Sequence, residues 1–433
     1  MPEVLARACA PILMARLAAS GLHREYVVYE RGGVWWYAGG TLATAKLTSG
    51  SLSLSRAGEP TVSEPWSGGP EAALERATAW LLEHAERVFG WVAFEFGAYR
   101  HGLADRLPPD VPLATLLAPE VLVRVEGDEV VVESDDEAAR AAVSQALSAP
   151  LPGADHGPTP VDVRLDPSDY RGRVAQAVAE IQRGDYQKVI LSRRVDLPFE
   201  VDFPASYERA REHNTPARSF LLNLGGIQAL GFSPEMVAVV APDGLVTTEP
   251  LAGTRAFGRG EDADLAARRD LESDPKEIHE HAISVRGSLH DLADVVEPDS
   301  AEVERFMVVR ERGSVQHLAS TVRGRLTGEH GRMDALAALF PAVTASGLPK
   351  AEGVEAIFRL DGPSRGLYSG SVFSAGRDGS LDAALVLRAV YQEGGRAWLR
   401  AGAGVIGQSR PEREFEETCE KLACVAEHLI AKQ

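Results

Sequence analysis

The sequence predicts an α+β fold, a single large body of stacked antiparallel-rich sheets with helices on the outside. Many short apolar runs have the composition of strands and are separated by glycine-rich turns. Helical stretches are clustered separately from these runs, which is typical of the α+β class. No repeat of fixed period is apparent along the chain.

Length and composition limit the class of protein. The chain has 433 residues, enough for two or three average domains or one large body, and 45% of them are apolar, which is ample for a sizeable core. The net charge of -18 argues against nucleic acid and anionic membrane surfaces as partners. A small anionic ligand would therefore require local arginine, lysine or a metal ion.

Cysteine use and the N-terminus predict a cytoplasmic protein. Cys9, Cys419 and Cys424 match no zinc-binding spacing, so we expect reduced thiols. The first twenty residues contain an apolar stretch, but arginine and proline interrupt it. This pattern is that of neither a signal peptide nor a membrane span.

The first half of the chain is predicted to contain strands, two helices and a hairpin. Between residues 25 and 55 the strand-type runs are EYVVYE, GVWWYAGG, TLATAKL and SLSLS. We expect helices at residues 71–88 and 136–147, and a buried strand or strand edge in GWVAFEFGAY. The alternation in VLVRVEGDEVVVES, with Gly127-Asp128 at its centre, predicts a hairpin.

Residues 149–168 are rich in proline and glycine and are the best candidate for a linker. They divide an N-terminal half, residues 1–150, which completes the fold, from a region at residues 165–433 that carries the chemistry. The second half begins with a helix capped by Ser168. It continues through the strand-type runs VILSRRVDL, FLLNLG, IQALGF, MVAVVA, LVTTEP, LYSGSVFSA, LDAALVLRAVY and AWLRAGAGV.

Two helical stretches carry paired carboxylates. In DPKEIHEHAISVR, Glu277 and Glu280 share one helix face, and in PEREFEETCEKL the same is true of Glu414, Glu417 and Lys421. Two helices that each direct two carboxylates at one point would suit a hard cation such as Mg2+. The alternative is that both are solvated acidic faces.

A lysine and a glutamate are candidates for proton transfer. Lys188 stands where a helix ends and an apolar strand begins, so it is either a desolvated general base or a lysine that reaches out to water. Glu235 follows Ser233-Pro234, and partial burial would make it a general acid. Alternatively, it is a helix N-terminal glutamate favoured by the helix dipole.

Small and polar residues in apolar surroundings are candidates for ligand contacts. Ala252, Gly253 and Thr254 in TEPLAGTR form a loop of small residues whose amides can approach a carboxylate. Gly402 in RAGAGV marks a similar close approach. Arg388 in LVLRAVY is costly unless it is paired, and capture of a carboxylate would explain it. Tyr368 in RGLYSGS could add a phenolic donor. His317 and Thr344 are polar residues set in apolar stretches, and such residues are more often satisfied core groups than ligands.

Together these motifs resemble those of the chorismate-utilising enzymes, a family that includes anthranilate, aminodeoxychorismate, isochorismate and salicylate synthases. The resemblance is dense from about residue 169 to the end. Within the family, the sequence is most similar to the salicylate synthases of mycobactin-type siderophore pathways. The motifs occur in the family's order: GDYQKVILSRRV, GFSPE, EPLAGTR, DPKEIHEHAISVR, VRERGSVQHLAST, PAVTASGLPK, RGLYSGSV, RAGAG and PEREFEETCEKL.

This resemblance implies the fold of anthranilate synthase component I and a chorismate-binding region at residues 165–433. Members that use ammonia lack the lysine found here at Lys188, and the aminodeoxychorismate enzymes carry a nucleophilic lysine where Ala252 stands. The resemblance therefore implies attack by water and no covalent intermediate. We expect a small-molecule substrate, no glutamine amidotransferase subunit, and a monomer or weak homo-oligomer.

The resemblance also implies a role for each candidate residue. Lys188 would be the general base and Glu235 the general acid. Mg2+ would be bound directly by Glu280 and Glu417, and directly or through water by Glu277 and Glu414. The substrate would contact Gly253, Thr254, His317, Thr344, Tyr368, Arg388, Gly402 and Lys421, with Tyr368 and Arg388 on its pyruvyl carboxylate.

The activity implied is conversion of chorismate to isochorismate and then to salicylate and pyruvate. The sequence distinguishes this activity poorly from that of an isochorismate synthase that stops after the first step. A chorismate-binding protein without catalysis is a further alternative, although the presence of both Lys188 and Glu235 argues against it.

Overall fold

The structure is a computed structural model that describes residues 10–149, 157–312, 315–362 and 364–433. In chain order its strands are β1 (Tyr26–Arg31), β2 (Val34–Gly39), β3 (Ala43–Thr48), β4 (Leu52–Arg56), β5 (Val62–Glu64), β6 (Arg87–Val92), β7 (Pro112–Ala118), β8 (Val121–Glu126), β9 (Glu129–Glu133), β10 (Lys188–Asp196), β11 (Arg218–Leu224), β12 (Ile227–Ser233), β13 (Met236–Val240), β14 (Leu245–Thr248), β15 (Leu251–Ala256), β16 (Glu302–Arg312), β17 (Val315–Arg325), β18 (Gly347–Leu348), β19 (Ser371–Gly376), β20 (Leu381–Leu385), β21 (Ala389–Glu393) and β22 (Arg396–Val405).

The helices follow the amphipathic stretches of the sequence. They are α1 (Ala10–Ala19), α2 (Pro70–Leu82), α3 (Glu137–Ser148), α4 (Tyr170–Arg183), α5 (Phe203–Glu212), α6 (Glu261–Ser273), α7 (Pro275–Ala293), α8 (Arg332–Leu339), α9 (Lys350–Leu360) and α10 (Pro411–Ala426). None of the helices in the described part of the chain has the length and apolar character needed to cross a membrane.

The strands form two antiparallel sheets. Sheet I has ten strands in the order β18-β10-β22-β21-β12-β11-β1-β2-β8-β9. Sheet II has twelve: β15-β17-β14-β13-β20-β19-β6-β7-β3-β4-β5, with β16 paired to β17. One apolar cluster contains side chains of both sheets, including Val27 and Phe220 from sheet I and Phe89 and Val372 from sheet II. The sheets therefore stack face to face, and the predicted α+β class is confirmed.

Helices cover the outer faces of this sandwich. Apolar side chains of α2 and α8 pack with those of sheet II, and side chains of α1, α5 and α10 pack with those of sheet I. A further cluster joins α4, α9 and α10 to β10. Burial of one apolar stripe per helix stabilises this arrangement through the area removed from water.

Several predicted elements differ from the observed ones. The first long helix ends at Leu82, because the following residues form β6. The N-cap of α4 is Asp169, whose side chain accepts from the Gly172 amide, and not Ser168. TEPLAGTR is largely strand, since β15 pairs with β17 and has a register shift at Gly253.

Residues 150–156 of the predicted linker lie outside the described residues. The same is true of Cys9. The described part of the linker contacts the second half, because the Thr159 amide donates to the Leu429 carbonyl at 2.7 Å. Strands from both halves of the chain occur in both sheets. The division at residues 150–165 stays a prediction.

Two neighbouring crossings between the sheets organise one end of the sandwich. β12 of sheet I leads into β13 of sheet II through Glu235, and β20 of sheet II leads into β21 of sheet I through Arg388. The predicted single strand LDAALVLRAVY is thus two strands in different sheets. The crossings are hydrogen-bonded to each other, from the Leu385 amide to the Glu235 carbonyl at 3.1 Å and from the Phe232 amide to the Arg388 carbonyl at 3.1 Å.

A buried ion pair joins the sheets close to these crossings. Asp382 on β20 accepts from Arg218 on β11 through both carboxylate oxygens, at 2.6 and 2.8 Å, and from the Tyr29 hydroxyl at 2.5 Å. Although burial acts to raise it, the pKa of Asp382 is lowered by Arg218. Asp382 is therefore ionised in the folded protein and contributes stability that is lost as the pH falls through its lowered pKa.

Replacing Asp382 by alanine should destabilise the protein by about 3–5 kcal/mol, because it leaves the Arg218 guanidinium buried without its carboxylate. Urea denaturation followed by circular dichroism measures the change. The control is Asp243→Ala, which removes an exposed partner of Arg325 and should leave the unfolding midpoint close to wild type. Equal effects of the two substitutions would show that the buried pair does not join the sheets.

Candidate active site

Lys188 is buried at the start of β10, where β10 lies between β18 and β22. Its side chain is 1% exposed, and Nζ lies 2.8 Å from Glu280 Oε1 on α7. Gly404 on the neighbouring strand leaves the space that this pair occupies. A Cβ at Gly404 would be 3.1 Å from Glu280 Oε1 and 3.4 Å from Lys188 Cε. The amine is therefore desolvated and held by an ion pair, and it does not extend to water.

Glu235 lies in the crossing between β12 and β13, so it does not stand at a helix N-terminus. The Thr344 hydroxyl donates to Glu235 Oε1 at 2.6 Å, and the Leu251 amide also hydrogen-bonds to the carboxylate. Burial raises the pKa of Glu235 to about 8, with Thr344 and Lys188 acting in the opposite direction. Glu235 is therefore largely protonated at neutral pH and can donate a proton.

His317 on β17 connects the small-residue strand to Arg388. Its Nε2 lies 3.2 Å from Arg388 Nη2, and its Nδ1 lies 2.9 Å from Thr254 Oγ1 and 3.2 Å from the Gly253 carbonyl oxygen. Burial lowers the pKa of His317 to about 3, so the ring is neutral. Since arginine only donates, Nε2 accepts and Nδ1 carries the proton. This tautomer fixes the positions of both Arg388 and Thr254.

Arg388 is held in an unusual backbone conformation. Its φ of 49° is in the left-handed region, which residues with a side chain rarely adopt. The sharp turn from sheet II to sheet I requires it and directs the side chain to His317. Burial lowers the pKa of Arg388. Arg388 is half-buried, and a strained backbone of this kind is a feature that functional sites often contain.

Tyr368, Gly402 and Lys421 form a second group of neighbouring residues in the site. Lys421 Nζ donates to the Gly402 carbonyl oxygen at 2.9 Å and to Glu417 at 2.8 Å. A Cβ at Gly402 would lie 2.8 Å from Tyr368 Oη and 2.5 Å from the Leu191 carbonyl oxygen. Only glycine therefore allows β22 to approach both β10 and the tyrosine.

The two acidic helices face each other across the site. Lys188 lowers the pKa of Glu280 on α7, and Lys421 on α10 adds to that effect. Lys276 on α7 in turn acts to lower the pKa of Glu414 on α10. Burial raises the pKa of Glu277 and of Glu414, and each also has a second glutamate nearby that adds to the rise.

Cations of the protein contact most of these carboxylates. Glu280 pairs with Lys188 at 2.8 Å, Glu417 with Lys421 at 2.8 Å and Glu277 with Arg255 at 3.0 Å. Among the described residues no three His, Cys, Asp or Glu side chains are close enough together to hold a metal ion. The donor set nevertheless has the chemistry of a hard-cation site, since it consists of partly desolvated carboxylates from two facing helices.

The structure thus places the predicted residues in one region around the two crossings. Thr344 contacts Glu235, so its hydroxyl positions the predicted acid. Arg255 was not among the predicted site residues, although it holds Glu277 and also Asp274, the N-cap of α7. The sequence feature that could have identified Arg255 as a site residue is its position directly after Thr254 in TEPLAGTR.

Comparison with known proteins gives the family. The model of the chorismate binding enzyme family matches residues 26–427 of this chain. The chain belongs to this family. It is 55% identical to a salicylate synthase from Mycolicibacterium paratuberculosis over 432 residues, which cover 100% of the chain and 94% of that protein. It is 35% identical to anthranilate synthase component 1 from Streptomyces coelicolor, covering 89% of the chain and 82% of that protein.

Solved structures support the same fold. Anthranilate synthase component I from Streptococcus pneumoniae superposes with a TM-score of 0.77 at 25% identity, covering 91% of this chain and 92% of that one. The menaquinone-specific isochorismate synthase from Escherichia coli gives a TM-score of 0.74 at 22% identity, with 98% and 92% covered. The expected fold of anthranilate synthase component I is therefore confirmed.

Replacing Thr344 by valine should raise the pKa of Glu235 above its value of about 8. The lost hydroxyl stabilises the ionised carboxylate through its 2.6 Å hydrogen bond, so its removal favours the protonated form. An infrared titration of the protonated-carboxyl band measures the change, and Glu235→Gln identifies the band. Thr78→Val is the control, because Thr78 donates to a helix carbonyl elsewhere. An unchanged or lower midpoint for Thr344→Val would contradict the assigned bond.

Proposed function

We propose that the protein is a salicylate synthase, which converts chorismate to isochorismate and then isochorismate to salicylate and pyruvate. Similarity over the full length to a salicylate synthase supports this substrate and these products. One observation carries the mechanism: the buried amine of Lys188 and the protonated carboxyl of Glu235 share one site. The free thiols of Cys419 and Cys424 support a cytoplasmic location.

In the first half-reaction, Lys188 takes a proton from the water molecule that attacks C2 of chorismate, which requires that the ion pair with Glu280 be broken first and the amine be free of its own proton. Glu235 gives its proton to the hydroxyl that leaves C4, and the ring double bonds shift between these carbons. One water is added and one is released, so isochorismate is an isomer of chorismate. Since water requires a base and ammonia does not, the lysine supports water as the nucleophile, and no glutamine-hydrolysing partner is required.

In the second half-reaction, the hydrogen at C2 of isochorismate moves to the methylene carbon of the enolpyruvyl group while the C–O bond breaks. The products are pyruvate and aromatic salicylate. This rearrangement needs orientation more than an acid or base. Arg388 and Tyr368 are suited to hold the pyruvyl carboxylate, because His317 fixes the guanidinium and the tyrosine lies beside Gly402.

The ring carboxylate would be held by Gly253, Thr254, Gly402 and Lys421. Glu280 and Glu417 would bind Mg2+, with Glu277 and Glu414 beside them. When bound, Mg2+ would neutralise these carboxylates and attract the ring carboxylate of a dianionic substrate that they otherwise repel. Glu280 also serves Lys188, so loading the metal would weaken the ion pair that holds the amine.

Incubation of the pure protein with chorismate and Mg2+ tests the proposed function. Salicylate fluorescence and pyruvate, measured by coupled oxidation of NADH, should appear in equal amounts. Isochorismate without pyruvate would identify an isochorismate synthase instead. Chorismate binding without any turnover would identify a binding protein.

Activity should disappear in excess chelator and return with Mg2+, because the glutamates without a cation repel the substrate. Glu280→Gln and Glu417→Gln should each raise the Mg2+ concentration needed for half-maximal rate. The matched control is Glu272→Gln, an exposed glutamate on α6 that pairs with Arg268. Full activity with chelator, or unchanged metal dependence in both variants, would reject these helices as the metal site.

The variant Lys188→Gln separates the two half-reactions. It retains length and polarity but cannot accept a proton, so salicylate formation from chorismate should fall by at least ~10²–10⁴-fold. Supplied isochorismate should still be converted at a substantial fraction of the wild-type rate, because the lyase step does not use the base.

Lys350→Gln is the matched control for Lys188→Gln. Lys350 is also buried and also paired with a carboxylate, Asp291 at 2.6 Å, but it lies outside the site. It should keep both half-reactions. If Lys188→Gln fails equally on both substrates, Lys188 is structural. If it still uses chorismate, another group activates the water.

A further inference from the structure

A cluster of buried charges packs against Tyr368. Its centre is Asp361, whose side chain is 0% exposed, and three arginines surround it: Arg173, Arg365 and Arg400. We refer to these four residues as the Asp361 cluster. The cluster lies outside the set of residues assigned to metal, acid, base or substrate, so its charge needs a separate explanation.

Asp361 is satisfied without Arg400. Its Oδ1 accepts from Arg173 Nη1 at 2.7 Å, and its Oδ2 accepts from Arg365 Nη2 at 2.6 Å and from the Ser192 hydroxyl at 2.6 Å. The nearest approach of Arg400 is Nη2 to Oδ2 at 3.7 Å, beyond hydrogen-bond distance. One carboxylate therefore already has two guanidinium partners before Arg400 is considered.

Arg400 itself bonds to neutral groups in the described part of the chain. Its Nε donates to the Ser192 hydroxyl at 2.9 Å and its Nη1 to the Ser364 carbonyl at 3.1 Å. Burial lowers the pKa of Arg400, which shows that the charge is costly in this position. Within the described residues the carboxylate partner of Arg400 is Asp361 at 3.7 Å, which is already bonded to two other arginines, so much of the Arg400 charge is left to act on neighbouring groups.

Glu95 balances only part of this charge. Its Oε1 accepts from the backbone amides of Arg365 and Gly366, at 2.6 and 3.2 Å, and within the described residues its Oε2 has no partner. Burial raises the pKa of Glu95, while its hydrogen bonds with Arg365, Gly366 and Ser364 act to lower it. Three arginines lie near two carboxylates, Asp361 and Glu95, so this region carries an excess of positive charge even when both carboxylates are ionised.

This excess charge is directed at the phenol of Tyr368. The Arg400 and Arg365 guanidinium carbons lie 5.5 and 5.6 Å from the centre of the Tyr368 ring. Burial raises the pKa of Tyr368, and Arg365, Lys421 and Arg400 oppose that rise. A phenol polarised by nearby cations is a stronger hydrogen-bond donor to a carboxylate. Its hydroxyl lies beside Gly402, where the substrate is expected to bind.

We propose that Arg400 is a positioning residue, whose buried charge acts through the Tyr368 phenol to strengthen capture of the pyruvyl carboxylate. This inference rests on the proposed function, because it assigns Tyr368 to that carboxylate. Arg400 touches no reacting atom. It supplies a fixed positive charge behind Tyr368, which would hold the pyruvyl carboxylate together with Arg388.

Two ligands that differ in their carboxylates test the proposal. Isochorismate carries the pyruvyl and the ring carboxylate, whereas salicylate carries only the ring carboxylate. Arg400→Met removes the charge at similar volume, so KM for isochorismate should rise about tenfold, the change that corresponds to weakening one charge-assisted hydrogen bond. The inhibition constant of salicylate should stay within about twofold of wild type, since its carboxylate is held by Gly402 and Lys421.

Two further variants make the result specific. Arg400→Lys keeps the charge and should recover most of the loss. Arg332→Met removes an arginine that is equally buried, at 9% exposed in both cases, but lies against Gly376 and Glu75 outside the site. It should change neither constant, and thermal unfolding checks that every variant is folded.

The outcomes separate the inference from the proposed function. An unchanged KM for isochorismate in Arg400→Met would overturn the role of Arg400. Equal increases in the KM for isochorismate and the inhibition constant of salicylate would also overturn it, because they would show that the residue is structural. Failure of the wild-type enzyme to release salicylate and pyruvate would reject the proposed function, whatever the variant does.

Discussion

The site depends on the hydrogen-bonded pair of crossings between the two sheets. Glu235 lies in one crossing and Arg388 in the other, and backbone bonds of 3.1 Å fix each crossing to its neighbour. Both segments leave regular strand geometry there, and their side chains contact other elements: Glu235 accepts from Thr344, and Arg388 donates to His317. The left-handed backbone of Arg388 shows how tight the turn is. Neither residue could be moved without changing the other.

Electrostatic balance is the second constraint, because this acidic chain concentrates cations where it would bind a dianion. Lys188, Arg388, Lys421 and Arg400 are all buried or half-buried, and two of them pair with glutamates that the proposed metal would share. The amines of Lys188 and Lys421 are therefore each paired with a carboxylate that the proposed metal would also bind. The neutral ring of His317 sits among these charges and orients donors without adding a charge of its own.

Much of this arrangement could be predicted from sequence, and the failures have physical causes. The helices that carry Glu277, Glu280, Glu414 and Glu417 were predictable because their apolar period and the proline near each start are local signals. The crossing at Arg388 was missed because LDAALVLRAVY reads as one apolar run, and nothing local marks a change of sheet. The bond from Thr344 to Glu235 joins residues 109 apart, and the Asp361 cluster joins α4, β22 and the segment that follows α9. Such contacts exist only once the sheets are stacked.

Gly402 and Gly404 on β22 leave space for the neighbouring groups of the site, and this has a consequence for redesign. Any side chain at Gly402 would meet the Leu191 carbonyl oxygen of β10 as well as the tyrosine hydroxyl, and one at Gly404 would press on Glu280 and Lys188. The strand that would have to yield is the one that carries the general base. To admit a bulkier or differently substituted ring, substitutions would therefore have to be made in β15 and in the two crossings. Selection by directed evolution should find accepted changes there and almost none in RAGAG.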